Sequence, residues 1–145
     1  MNIAIAQSGG PTCAINASLV GAFSQALKTP EIDAVFGSIN GIEGIIKDNL
    51  INLKNYINST DDMELLKQTP STVLGSCRYK LPDEEKDSTV YEKIMGCFKK
   101  HNIKAKTFAH NIGKQSAECR FLCSFGVSKL FLKARDKSAV FLVCL

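Results

Sequence analysis

Residues 2–19 read NIAIAQSGGPTCAINASL. Few short stretches constrain a fold so tightly. Ile3, Ala4, Ile5 and Ala6 form an uninterrupted apolar run, the pattern of a strand covered on both faces. Ser8-Gly9-Gly10-Pro11-Thr12 then breaks the strand as a loop. From Ala14 to Leu27 the apolar residues Ile15, Leu19, Ala22, Phe23, Ala26 and Leu27 recur at three- and four-residue spacings, which predicts a helix. Gly21 lies inside it. Glycine there costs up to about 1 kcal/mol against alanine, which a close helix–strand contact would justify. Lys28-Thr29-Pro30 stops the helix.

Ile32–Ile39 (IDAVFGSI) reads as a second strand, followed by the glycine-punctuated NGIEGIIKDNLINL as a loop and short amphipathic turn. Asp61–Gln68 is a short helix with Met63, Leu65 and Leu66 as its apolar positions. Pro70–Tyr79 is irregular, and Asp83–Lys86 is a charged, exposed turn. Ser88 is placed to cap a helix running to about His101, with Tyr91, Ile94, Met95 and Phe98 on one face. Asn102–Ala105 leads into a further strand. This order predicts an α/β fold around a parallel sheet, whose ligands bind beyond the carboxyl ends of the strands. Ser8–Thr12 and Asn40-Gly41 both fall there.

The last forty residues lose this rhythm. They hold three of the six cysteines and five of the eight phenylalanines. Phe121-Leu122, Leu130–Leu132 and Ala139–Leu145 are candidate short strands. Residues 1–105 carry 11 basic and 12 acidic residues; residues 106–145 carry 7 and 2. The basic residues of the tail are dispersed among Phe, Leu and Val, with no arginine cluster, so no nucleic-acid partner is expected. No apolar run approaches the ~18 residues that span a bilayer, and no signal peptide is evident. Six scattered cysteines without a CxxC pair suit reduced thiols and a cytoplasmic setting. Cys119 and Cys123 have only His110 nearby as a soft ligand, so no metal site is assigned to them. Cys13 reads as a small packing residue, and His101 and His110 as ordinary histidines without evident partners.

A glycine pair between strand and helix leaves backbone N–H groups free to face an anion, or it is simply a tight turn. It matches neither GxGxxG nor GxxxxGK[ST]. Arg78, the sole arginine of the first 105 residues, bears on this choice. It follows LGSC, a run of mostly small residues able to pack against another backbone, and offers a fork of donors matched to phosphate oxygens. Its plainer reading is a surface pair with Asp83. Asn40-Gly41 likewise reads as a simple turn or as part of a phosphate site.

Taken in order, IAIAQSGGPTCAINASL, GSINGIEGI and TPSTVLGSCRYKL resemble the N-terminal part of a phosphofructokinase, nearest the branch that uses pyrophosphate. The resemblance covers residues 1 to about 105. It implies the α/β sandwich of that family, present incompletely, and transfer of a phosphoryl group from pyrophosphate or ATP to fructose 6-phosphate with Mg²⁺. It gives Gly9, Gly10, Gly41, Arg78 and Tyr79 donor-binding roles. It also implies a homo-oligomer in glycolysis.

The sequence departs from the pattern after HNIKA. Where the family has a GGDxS- or GGNDS-like loop serving the metal, this chain reads KTFAHNIGKQSAE, and Asn111, Gly113 and Ser116 do not reproduce it. The TxDxD-like loop with the catalytic base is absent as well. No catalytic residue and no metal ligand is therefore assigned. Residues 1–105 are expected to be the donor-binding part, and residues 106–145 an unrelated tail, frameshifted or fused. A sheet cut after two or three strands is expected to leave an unpaired edge. The alternatives are a non-catalytic phosphate- or nucleotide-binding regulatory module and a small flavodoxin-like domain without a ligand.

Overall fold

The structure, a computed structural model, describes residues 1–10, 13–82, 88–111, 129–130 and 139–144. Pro11-Thr12, Asp83–Lys86, Cys119, Cys123 and Phe121-Leu122 lie outside the described residues, as do Gly113, Ser116, Phe131-Leu132 and Leu145.

Strand β1 (Asn2–Ser8) leads into helix α1 (Cys13–Leu27). Then come β2 (Ala34–Ser38), α2 (Ile42–Ile46) and β3 (Leu50–Asn52). A 3-10 turn over Leu53–Asn55 precedes α3 (Thr60–Gln68). Helix α4 (Thr89–Lys100), β4 (Ile103–Asn111), β5 (Lys129–Leu130) and β6 (Ala139–Cys144) complete the described elements. The strands form one sheet in the order β3-β2-β1-β4-β6-β5. Its centre is parallel, β1 pairing with β2 and with β4. The flanking strands are antiparallel, which makes the sheet mixed. The outer edge of β4 is paired by β6 from Lys106↔Cys144 to Asn111↔Ala139, so the edge expected to be open is covered.

The period-2 geometry of β1 divides its apolar run between two cores. Ile3 and Ile5 face Leu19, Phe23 and Ala26 of α1, with Val35, Leu53 and Leu74. Ala4 and Ala6 face Ile42 and Ile45 of α2, and Ile94, Cys97 and Phe98 of α4. The result is three layers, with α1 and α3 on one face and α2 and α4 on the other. Burial of a side chain such as Phe23 or Leu19 stabilises this arrangement by roughly 1.5–3 kcal/mol.

Several local expectations change. The second strand is shorter than Ile32–Ile39, because Ile39-Asn40-Gly41 already turns. NGIEGIIKDNLINL is more ordered than a loop, forming α2, β3 and the start of the 3-10 turn. Gly21 is exposed with nothing within 4 Å of where a Cβ would stand, so no close helix–strand contact explains it. Leu27 and Leu65 are exposed. Ser88 holds the N-cap position of α4, but its hydroxyl makes no capping bond because its backbone is already helical. The full capping box belongs to α3, where Ser59 and Asp62 satisfy each other's backbone N–H groups.

Candidate functional site

Three backbone segments meet at the carboxyl ends of β1 and β2. The first is Ser8-Gly9-Gly10, leaving β1. Gly9 has φ 91°, the left-handed region that favours glycine. Around Gly10, a Cβ would meet none of the described residues within 4 Å.

The second is the turn after β2. Asn40 has φ 59°, and Gly41 has φ 62° and ψ −133°. A Cβ on Gly41 would stand 2.9 Å from both the Gln7 carbonyl oxygen and Cys77 Sγ, so only glycine fits. The buried hydroxyl of Ser38 donates to the Gly41 carbonyl at 2.7 Å.

The third segment, Thr69–Arg78, takes in most of the Pro70–Tyr79 stretch expected to be irregular; it has no regular secondary structure and lies against the other two. The Asn40 N–H donates to the Leu74 carbonyl at 2.8 Å. A Cβ on Gly75 would overlap Asn40 Oδ1 at 2.2 Å. Ser76 Oγ donates to the Gly9 carbonyl at 2.6 Å. The small residues of LGSC thus permit the close approach their size suggests. Gly9, Gly41 and the segment that ends in Arg78 are brought together. Arg78 is exposed and makes no ion pair with any described residue; Asp83 lies outside the described residues. Tyr79 is half-buried against the core that contains Ile94 and Phe98.

Sequence reasoning missed the polar residues beneath this site. Gln7 and Asn16 are both fully buried. Gln7 Oε1 accepts from the Leu74 N–H at 3.0 Å, and Asn16 Oδ1 accepts from the Val73 N–H at 3.1 Å. The available signal was an amide closing an apolar strand and another in the first turn of an apolar helix face.

His101 is also more than an unpartnered histidine. Its Nε2 lies 2.6 Å from Asp48 Oδ1, and its ring packs edge-on against Phe36. Lys100 Nζ donates to the other carboxylate oxygen of Asp48, and Cys97 Sγ lies 3.5 Å from Oδ1. Hydrogen bonds from Lys100 and then His101 hold the Asp48 carboxyl down at about 2. Burial, with the carboxylate beside it, pushes the Cys97 thiol up to about 12. Asp48, Cys97 and His101 bring ligand-type atoms within 4.8 Å of one another. The carboxylate is already satisfied by donors, one of them a cation, and the group reads as an ionic tie between the loop after α2 and the end of α4. Cys13 opens α1, and His110 lies on β4. An apolar groove of about 420 Å³ between α1, α3 and the 3-10 turn is lined by Leu19, Leu53, Ile57 and Leu66, with Asp62 as its charged residue. It offers nothing to an anion. No described helix is long and apolar enough to cross a membrane.

A mixed sheet covered on both faces by helices, with a glycine loop beside the segment of an exposed arginine at its strand ends, defines a domain of the α/β class. The sequence profile named Phosphofructokinase matches residues 2–109, and the chain belongs to that family. It is 38% identical over 118 residues to the pyrophosphate–fructose 6-phosphate 1-phosphotransferase of Methylococcus capsulatus, and 37% identical to that of Halomonas elongata. Each match covers 81% of this chain and 27% of the relative. The crystal structure of a pyrophosphate-dependent phosphofructokinase from Nitrosospira multiformis superposes with a TM-score of 0.62 at 37% identity, covering 70% of this chain and 24% of that one. The chain thus spans about a quarter of the length of the relatives it matches.

Proposed function

We propose that this chain carries the phosphoryl-donor side of a phosphofructokinase-type site. In the whole enzyme that side would serve phosphoryl transfer from pyrophosphate to the 1-hydroxyl of fructose 6-phosphate, in glycolysis. The observation that carries the reading is the Ser76–Gly9 hydrogen bond, which brings the Arg78 segment against the glycine loop. Gly10 leaves the backbone open to a phosphate. Gly41 lets the neighbouring turn close on the strand end, Arg78 brings a fork of donors, and Tyr79 anchors that fork's segment to the core. Charge neutralisation and positioning are what phosphoryl transfer chiefly needs from a protein.

The residues gathered here (Ser8, Gly9, Gly10, Asn40, Gly41, Ser76, Arg78 and Tyr79) bring no carboxylate. They do not fit a resident Mg²⁺. In this reading the ion enters with pyrophosphate, and no step is assigned to it. The sequence also has no counterpart of the family's acidic loop or catalytic base. The 145-residue chain is therefore expected to bind the donor without transferring a phosphoryl group.

Calorimetric titration of the purified chain tests this. Saturable binding of pyrophosphate that is weakened at least about tenfold, but still measurable, in Arg78→Ala is expected. ATP titrated in parallel decides between the two donors. Absence of binding at millimolar pyrophosphate would overturn the donor-site reading. Formation of fructose 1,6-bisphosphate would overturn the inactive one.

A further inference from the structure

Gln7 and Asn16 are buried amides on the two elements that flank the glycine loop, β1 and α1. Their bonds interlock. Gln7 Oε1 accepts from the Leu74 N–H, so Gln7 Nε2 is left to donate to Asn16 Oδ1 at 2.8 Å, with the Ile15 carbonyl at 3.4 Å. Asn16 Oδ1 also accepts from the Val73 N–H, and Asn16 Nδ2 donates to the Thr69 carbonyl at 2.9 Å. Each amide orientation fixes the other, and no buried side-chain polar atom of the described residues is left unsatisfied.

Three backbone groups of an otherwise irregular segment thus end on two side chains. That segment carries Ser76 and Arg78. We infer that Gln7 and Asn16 are positioning residues for the donor site, a clasp that sets where Arg78 stands relative to the Gly9-Gly10 loop. The inference rests on the donor-site reading above. Neither amide touches the ligand: both lie under the loop, and their influence passes through Val73 and Leu74.

Asn16→Asp tests it with little change of shape. It keeps the acceptor for Gln7 and Val73 but turns the donor toward the Thr69 carbonyl into a second acceptor. Hydrogen exchange of the full chain gives a readout independent of any ligand. In the wild-type chain, the Val73 and Leu74 amides are expected to be protected to the level of the β1 amides. In Asn16→Asp they should exchange at least about tenfold faster, while β1 and β2 are unchanged. Pyrophosphate titration then separates positioning from mere support. Asn16→Asp should lose about as much affinity as Arg78→Ala, and the double variant no more than either, because the two changes act on one contact.

Additive losses would overturn the inference, as would full affinity in Asn16→Asp. Unprotected Val73 and Leu74 amides in the wild-type chain would do so without any variant, which covers the case that Asn16→Asp does not fold. Wild-type chain that fails to bind pyrophosphate would remove the donor-site reading, and this inference with it. Wild-type binding that Asn16→Asp leaves intact would remove the inference alone.

Discussion

Ser76 Oγ reaches across 67 residues of sequence to donate a 2.6 Å hydrogen bond to the carbonyl oxygen of Gly9. This bond draws the end of β1 and the Arg78 segment together. It also gives the Gly9 carbonyl a donor within the protein. Ser76→Ala is expected to lower stability by about 1 kcal/mol, a typical single hydrogen bond. Pyrophosphate affinity should fall as well. Urea unfolding and calorimetric titration check the two effects separately.

The glycines of the site should divide by the reason each is glycine. Gly41→Ala forces a Cβ against the Gln7 carbonyl and Cys77 Sγ at a left-handed φ, and a loss of roughly 2–4 kcal/mol is expected. Gly10→Ala meets none of the described residues within 4 Å, and its effect on stability should stay within about 0.5 kcal/mol. Its effect should appear in pyrophosphate binding instead. Equal unfolding midpoints for the two variants would contradict this division.

Acid should unfold the chain partly through Asp48. Its folded pKa of about 2 lies below the usual 3.8, so its contribution is present above pH 3.8 and lost as pH falls toward 2. Asp33, lowered mainly by the hydrogen bond from the N-terminal ammonium, acts in the same direction. So does Asp62, lowered first by the backbone N–H of Asn58. Asp48→Asn should cost about 1 kcal/mol at neutral pH, since the carboxylate is a third exposed and screened. It should also flatten the stability profile between about pH 4 and 2, as read from unfolding midpoints across that range.

Thiol chemistry should distinguish two cysteines. Cys97 is buried, with its pKa pushed up to about 12, whereas Cys77 is half-buried beside the Gly41 turn. Alkylation at pH 8, followed by peptide mass spectrometry, should label Cys77 well before Cys97. Equal rates would mean that the face holding α4 opens readily.

How much of this was legible differs from residue to residue. The apolar run Ile3–Ala6 and the spacing of Ile15, Leu19, Phe23 and Ala26 announced β1 and α1, because burial on regular elements leaves a period in the sequence. The glycine-rich stretches after β1 and β2 and the LGSC run marked close backbone approaches, and the structure brings the segments of Gly9, Gly41 and Arg78 together. Leu50–Asn52 left no such mark, since so short an edge strand is decided by its pairing with Phe36–Ser38. Gln7 and Asn16 were invisible for another reason. Their partners are backbone groups 53 to 67 residues away, which no local pattern encodes. His101 meets Asp48 only once α2 and α4 lie side by side.

The place of β1 in the sheet has a consequence for synthesis. It precedes the other described strands in the chain, yet it lies between β2, met at Ala34, and β4, met at Ile103. On the ribosome, β1 can dock against β2 early but must wait about a hundred residues for its other neighbour. Until then one edge of the nascent sheet stays open to chaperones or to other chains. A contact of such long range also predisposes to slow refolding from denaturant.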